Sequence, residues 1–149
     1  MRGARWIVFG TNVYVAAVRE GLGGASFARL EEAAPRTFLA SVVSAELRAG
    51  ARDEAGRKVV VHLMSRFERL GRVVVPTAGS WNDAGDILAR IARREPGVRT
   101  KVRGLWNDAL IALSARQVGA TLVTENVHDF GLLRRYVRFE WVAAPGLRE

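Results

Sequence analysis

The chain has 149 residues, about half of them hydrophobic, which is enough for one sizeable core and too few for two. Cysteine is absent, and this excludes disulfide bridges, thiolate zinc sites and a cysteine nucleophile. Lysine and arginine number 23 against 15 acidic residues, giving a formal net charge of +8. Such an excess favours a polyanionic partner, either a nucleic acid or an acidic protein, without choosing between them.

No apolar run approaches the ~20 residues that cross a bilayer, and no stretch resembles a signal peptide. We therefore expect a cytoplasmic protein with no membrane partner.

Short apolar runs alternate with stretches of helical periodicity along the chain. The predicted strands are 6–9, 37–43, 72–75, 120–124 and 137–142. Helical spacing resumes at Val13 after the first strand, and the later predicted helices are 27–34, 44–50, 53–70, 80–93, 107–118 and 130–136. Because most strands lack strict alternation, they are expected to be covered on both faces. The pattern predicts one domain over residues 1–149, an α/β/α sandwich around a mostly parallel sheet of four to five strands.

Three acidic residues fall just beyond predicted strands or at predicted helix starts. Glu46 lies in the first turn of the helix after the second strand, Asp108 opens the helix at 107–118, and Asp129 follows the fourth strand. Residues beyond the carboxyl ends of parallel strands meet at one edge of the sheet. We therefore predict that the three carboxylates lie in one pocket at that edge, beside Gly10.

Each acid also has a purely structural explanation, because an acidic residue in the first turn of a helix stabilises it by roughly 0.3–1 kcal/mol. Asn107 and Asn126 are predicted as N-cap residues, and Asp129 completes a capping-box-like pair with Asn126. Three carboxylates at one edge repel one another unless a cation joins them, and their hard oxygen atoms suit Mg²⁺ or Mn²⁺. The combination favours a metal site.

Other catalytic chemistries have less support from the sequence. His62 falls inside a predicted helix without a motif around it, and His128 falls in a predicted surface loop. The glycine-rich stretch 21–24 lacks the G-x-G-x-x-G spacing and a preceding strand, and no Walker-type G-K-[ST] occurs. A nucleotide-cofactor enzyme is therefore not indicated.

Four motifs, taken in order, resemble those of PIN-domain proteins, and within that superfamily the VapC-type toxins of bacterial toxin–antitoxin pairs. They cover nearly the whole chain, from residue 5 to residue 142. The segments are IVFGTNVYVAA, SVVSAELRAG with Glu46, WNDALIALSARQVGATLVT with Asp108, and TENVHDF with Asp129. In the family, the first strand runs into the pattern D-T-N or D-[ST]-[NS]. This chain departs from the pattern at the aspartate, because Gly10 precedes Thr11 and Asn12.

The resemblance implies that position 10 should hold an aspartate that helps to bind the catalytic metal. Glycine supplies no ligand, and the nearest acidic residue along the chain is Glu20. Three interpretations compete: a substitution that silences a toxic nuclease, a natural non-catalytic member, or a site that works with three acids. The otherwise intact motifs favour silencing, so we expect impaired activity.

The resemblance further implies a Mg²⁺- or Mn²⁺-dependent endoribonuclease that leaves 5′-phosphate and 3′-hydroxyl ends. Glu46, Asp108 and Asp129 would hold the metal and carry the catalysis. The side chains expected to hydrogen-bond these acids are Thr11, Asn12, Thr124 and Asn126.

Basic residues ahead of Asp108 are candidates for contacts with the RNA backbone: Arg94, Arg99, Lys101 and Arg103. The partners implied by the resemblance are an RNA substrate, a cognate antitoxin and a second copy of the chain in a homodimer. The alternative is a non-catalytic PIN module that binds RNA or the antitoxin without cutting.

Overall fold

The computed structural model describes residues 5–144, apart from the side chain of Arg99. Its centre is a five-stranded, entirely parallel sheet with the strand order β3-β2-β1-β4-β5. The strands are β1 (Ile7–Phe9), β2 (Thr37–Ala40), β3 (Val73–Val74), β4 (Thr121–Thr124) and β5 (Trp141–Ala143). The predicted sandwich around a mostly parallel sheet is confirmed, with five strands.

Helices connect every pair of consecutive strands. In the described part of the chain they are α1 (Thr11–Glu20), α2 (Ala25–Ala33), α3 (Ser41–Gly50), α4 (Glu54–Arg69), α5 (Ala78–Arg94), α6 (Trp106–Gln117) and α7 (Val127–Arg134). Two 3₁₀ helices, Ala34–Arg36 and Pro96–Leu105, complete the connections. None of the helices within residues 5–144 has the length and apolar character that spanning a membrane requires.

The direction of the strand order places the helices in two layers. From β1 to β3, each new strand is added on the same side of the sheet, and β4 and β5 are added on the other side of β1. Because crossovers between parallel strands are right-handed, this reversal puts the helices on opposite faces. One face carries α1, α2 and α4, and the other carries α5 to α7. Contacts agree with this division, because α1 packs on α2 and α4, while α6 packs on α5 and α7.

Helix α3 belongs to neither layer alone, since it contacts α1 and α4 on one side and α6 on the other. Helix α6 is the most enclosed of the helices, with every residue from Ala109 to Ala115 buried. Burial on all sides fixes the position of its first turn, which carries Asp108.

Several predicted boundaries are wrong, and each has a local physical reason. The apolar run 37–43 leaves the sheet at Ala40, and α3 already begins at Ser41, because Val43 and Leu47 form the buried stripe of a helix. Glu46 therefore lies in the second turn of α3, not in the first. The strand predicted at 137–142 begins later and ends one residue further on, as Trp141–Ala143, the residues that pair with β4.

The start of α6 also differs from the prediction. The basic stretch ahead of Asp108 forms the 3₁₀ helix Pro96–Leu105 and leads directly into α6, which begins at Trp106. Asn107 is therefore inside the first turn and is not the N-cap residue. The predicted cap at Asn126 is confirmed, because its side chain accepts the backbone N–H of Asp129.

Candidate functional site

The candidate site lies where the strand order changes direction, between β1 and β4. Gly10 follows β1, and its backbone N–H donates to the carbonyl of Val123 at 2.8 Å. Thr124, the last residue of β4, stands beside Gly10. In open α/β sheets, ligands bind in the crevice beyond the strand ends at such a switch point.

Glu46 is held at this edge by side chains from two other helices. The hydroxyl of Thr11, the first residue of α1, donates to Glu46 Oε1 at 2.5 Å. The amide of Asn107, in the first turn of α6, donates to Glu46 Oε2 at 3.3 Å. Because α3 contacts both α1 and α6, its second turn brings the carboxylate to the crevice.

Asp108 and Asp129 are joined by one side-chain amide. Nδ2 of Asn126 donates to Asp108 Oδ2 at 3.3 Å and to Asp129 Oδ2 at 3.1 Å. The same side chain caps α7, since its Oδ1 accepts the N–H of Asp129 at 3.5 Å. The hydroxyl of Thr124 in turn accepts the N–H of Asn126 at 3.0 Å. These bonds place the two aspartates on either side of Asn126.

The carboxylates influence one another electrostatically. The pKa of Asp108 is raised from 3.8 to about 7, first by burial and then by the negative charges of Asp129 and Glu46. A carboxyl group surrounded by other carboxylates resists ionisation, because its charged form is repelled and poorly hydrated. The structure thus brings Glu46, Asp108 and Asp129 into one electrostatic environment beside Gly10.

The other residues predicted for the site or for RNA binding are not all in contact with the carboxylates. Within residues 5–144, Asn12 is exposed and no hydrogen bond joins its side chain to an acid. Thr124 bonds to the backbone of Asn126 and not to a carboxylate. Arg94, Lys101 and Arg103 are exposed, whereas the side chain of Arg99 lies outside the described part of the structure.

One residue of the site has a role that its sequence pattern does not predict. The pattern predicts Asn107 as a helix cap, but its side-chain amide donates to Glu46. In the sequence, only the position of Asn107 next to Asp108 points to a place in the site. Its hydrogen bond to Glu46 depends on how α3 crosses the edge of the sheet.

The donor chemistry of the site suits a hard divalent cation, because the three acids offer carboxylate oxygens and their charges repel one another. As the side chains stand, however, residues 5–144 contain no group of three or more acidic or histidine side chains arranged to hold a metal ion. The amide of Asn126, which donates to both aspartates, provides part of the compensation for their charge.

A cavity of about 690 Å³ lies apart from these carboxylates, between α1 and α2. Its floor is apolar, with Phe9, Val13 and Leu30, and charged side chains such as Glu20 and Arg29 form its rim. Glu46, Asp108 and Asp129 do not line it. The chemistry of the switch point, and not the size of this cavity, therefore identifies the candidate site.

The family model described as PIN domain matches residues 7–133, which include every residue of the site. The chain belongs to the PIN domain family. This PIN domain has no match among curated protein sequences.

Solved structures resemble the fold of this PIN domain over most of its length. One is a chain of VapBC2 from Rickettsia felis, whose crystal structure contains a DNA fragment from the VapBC2 promoter. It is 24% identical to this chain, with a TM-score of 0.60, and the match covers 92% of this chain and 97% of that one. A chain of DNA-bound VapBC from Salmonella typhimurium is 20% identical with a TM-score of 0.65, over 94% and 98%. A chain of FitAcB from Neisseria gonorrhoeae is 21% identical with a TM-score of 0.58, over 91% and 95%. At these identities the likeness concerns the fold.

Proposed function

We propose that this PIN domain, residues 1–149 as a single domain, is a toxin of the VapC type that acts in the cytoplasm as a metal-dependent endoribonuclease. One observation carries the proposal: Glu46, Asp108 and Asp129 share one electrostatic environment at the switch point of the sheet, beside Gly10. PIN domains are generally nucleases and generally need divalent metals. The basic charge of the chain supports RNA as the substrate.

Asp108, Glu46 and Asp129 are the residues that would hold Mg²⁺ or Mn²⁺. A divalent cation at such a site polarises a phosphate and lowers the pKa of a water molecule. The protein's own contribution is to orient the acids: Thr11 and Asn107 fix the two oxygens of Glu46, and Asn126 fixes the two aspartates. Hydrogen bonds of this kind typically change metal affinity or activity 10- to 100-fold when they are lost.

Gly10 is expected to weaken metal binding and therefore RNA cleavage. Position 10 supplies no oxygen ligand and no negative charge, so the site attracts a cation less strongly than a site with four acids. Mg²⁺ demands near-ideal octahedral geometry, and an incomplete set of ligands holds it poorly. We therefore expect weak or absent cleavage from this chain as it stands.

A cognate antitoxin and a second copy of the chain are the proposed protein partners. The complexes VapBC and FitAcB to which the fold is similar support the first of these. Gly10 also supports a second candidate function, in which the chain binds RNA or the antitoxin without cutting, because a missing ligand affects catalysis more directly than it affects binding.

Cleavage of RNA by the Gly10→Asp variant in the presence of Mn²⁺ tests the proposal. We expect the variant to cut RNA and to slow the growth of host cells, while the wild-type chain does so weakly or not at all. The matched control is the double variant Gly10→Asp/Asp108→Asn, which should bind RNA but lose cleavage. If Gly10→Asp binds RNA and never cuts it under these conditions, the binding module is the correct function.

A further inference from the structure

An exposed tryptophan near the start of α5 contacts the first residue of α6, the helix that carries Asp108. Trp81 is in the first turn of α5, which begins just after the carboxyl end of β3, and 51% of its surface is exposed. Large aromatic side chains are usually buried, so an exposed indole ring in contact with the helix that carries Asp108 is a candidate binding surface.

A second tryptophan, Trp106, packs against Trp81. The rings of Trp81 and Trp106 have their centroids 6.4 Å apart and are inclined by 39°. Trp106 lies against the backbone of α5, with its Cη2 atom 3.5 Å from where a Cβ atom on Gly85 would stand. Trp106 also packs against the core. Trp106 is therefore held between the core and the backbone of α5, and Trp81 packs against its ring.

Trp106 connects this pair to the carboxylates. It is the first residue of α6, and Asp108 is the third. Two residues along a helix correspond to a rise of about 3 Å and a rotation of about 200°, so the ring and the carboxylate leave the first turn on opposite sides. A single polynucleotide strand that crosses the end of α6 would pass both.

The residues that lead into Trp106 are basic, whereas α5 carries Asp83, which pairs with Arg116 at 3.4 Å, and Asp86. The 3₁₀ helix that leads into Trp106 carries Lys101 and Arg103 on its exposed surface. The N–H of Trp106 donates to the carbonyl of Arg103, so this basic turn is continuous with α6. Protein interfaces deplete their cores of charge, whereas single-strand nucleic acid sites combine basic grooves with stacking aromatic rings. The neighbourhood thus fits a nucleic acid better than a protein.

We propose that Trp81 and Trp106 form a stacking platform for a base of single-stranded RNA, within a few nucleotides of the phosphate at the carboxylates. This proposal rests on the proposed action on RNA and specifies how the site recognises its substrate. It assigns recognition to the unpaired base, while Lys101 and Arg103 contact the phosphates. A base in a duplex cannot reach the platform, so the preferred substrate is an unpaired segment.

The test compares two short oligomers of equal length and charge, a single-stranded RNA and the same ribose-phosphate chain without bases. The wild-type chain should bind the RNA more tightly than the abasic oligomer. Trp81→Leu should weaken RNA binding about 5- to 100-fold, the range expected for loss of one base stack, and leave the abasic affinity unchanged. Trp81→Phe keeps a stacking ring and should retain most of the difference. Leu22→Ala, an equally exposed apolar position on the other face, is the control for exposure.

Equal binding of both oligomers by the wild-type chain, or an unchanged preference in Trp81→Leu, would overturn the platform. If Trp81→Leu alters sedimentation of the protein but not its RNA affinity, the pair is a protein contact, and the platform is likewise overturned. Cleavage by Gly10→Asp separates the two proposals. RNA cutting without base-dependent binding leaves the nuclease and removes the platform, whereas base-dependent binding without cutting leaves the platform and removes the nuclease.

Discussion

The hydroxyl oxygen of Thr124 lies 3.0 Å from the position that a Cβ atom on Gly10 would occupy. The backbone at Gly10 is extended, with φ −69° and ψ 161°, so its conformation does not require glycine. A Cβ atom at this position would be in tight contact with Thr124, whose side chain would have to move by a few tenths of an ångström. That hydroxyl also accepts the N–H of Asn126, so position 10 is coupled to the amide that bridges the two aspartates.

We expect Gly10→Asp to lower the free energy of unfolding by about 1–2 kcal/mol in EDTA. The new carboxylate adds to the repulsion among the acids and displaces Thr124, while its gain over glycine as the N-cap of α1 is only a few tenths of a kcal/mol. Added Mn²⁺ should reverse the loss, because a cation relieves the repulsion. Thermal unfolding with and without Mn²⁺ measures both effects.

Two variants separate crowding from charge at this position. Gly10→Ala introduces the Cβ atom alone, and Gly10→Asn has the size of aspartate without its charge. Both should lose stability through the contact with Thr124, and neither should gain as much from Mn²⁺ as Gly10→Asp. The same response to Mn²⁺ in the Asn and Asp variants would show that position 10 is not part of a cation site.

The bridge formed by Asn126 leads to a second prediction. Asn126→Asp keeps a capping oxygen for α7 but replaces the donor amide with a third negative charge between Asp108 and Asp129. Since a hydrogen bond to a charged group contributes about 1.5–3 kcal/mol, we expect a loss of at least that size in EDTA and partial recovery in Mn²⁺. Asn126→Ser keeps the cap and loses only the bridge, so it should be less destabilised. Equal losses measured by urea unfolding would contradict a charge-neutralising role for the amide.

The sequence predicts the parts of this fold that depend on local pattern. Uninterrupted apolar runs indicate buried parallel strands, and Asn126 followed by Asp129 indicates a helix start. The position of Glu46 could not be predicted in the same way. Val42 and Val43 are β-branched and extend the apparent strand, so the start of α3 at Ser41 becomes visible only when Val43 and Leu47 pack as a helix stripe.

The candidate site shows the same division between local and tertiary information. That three acids would lie at one sheet edge follows from the topology, and the structure brings their charges together. The hydrogen bond from Asn107 to Glu46 depends on the angle at which α3 crosses the edge of the sheet. The hydrophobic periodicity of the sequence does not predict that angle. The crowding between Gly10 and Thr124 depends on the register of β1 against β4.

A third prediction concerns a buried hydroxyl outside the site. Tyr14 is fully buried with its ring edge-on to Phe9, and among residues 5–144 its hydroxyl is the one buried polar side-chain atom without a hydrogen-bond partner. Tyr14→Phe should therefore increase stability, by about 1 kcal/mol. Tyr136→Phe is the matched control and should decrease it, because the Tyr136 hydroxyl donates to Glu95 at 2.8 Å. If urea unfolding shows a loss for both variants, the hydroxyl of Tyr14 has a partner in solution.

The last prediction concerns the pH dependence of Asp108. Its pKa is about 7 in the folded protein and near 3.8 in the unfolded chain, so between these values the folded state binds more protons. Stability therefore falls as the pH rises: the contribution of the protonated carboxyl is complete below about pH 4 and is lost as the pH passes about 7. Asp108→Asn resembles the protonated form at every pH. In EDTA we expect the variant to match the wild type near pH 4 and to exceed it at pH 8 by a few kcal/mol, since one unit of pKa corresponds to roughly 1.4 kcal/mol.

Urea unfolding of both proteins at several pH values, with Mn²⁺ absent and then present, checks this expectation. Mn²⁺ should narrow the difference at pH 8 by stabilising the ionised carboxylate in the wild-type chain, whereas the variant has lost a charged ligand. The pH dependence arises only if burial and the neighbouring Asp129 and Glu46 keep the proton on Asp108. A difference between variant and wild type that is the same at pH 4 and pH 8 would mean that Asp108 is ionised and hydrated throughout, and that the three carboxylates do not share one environment.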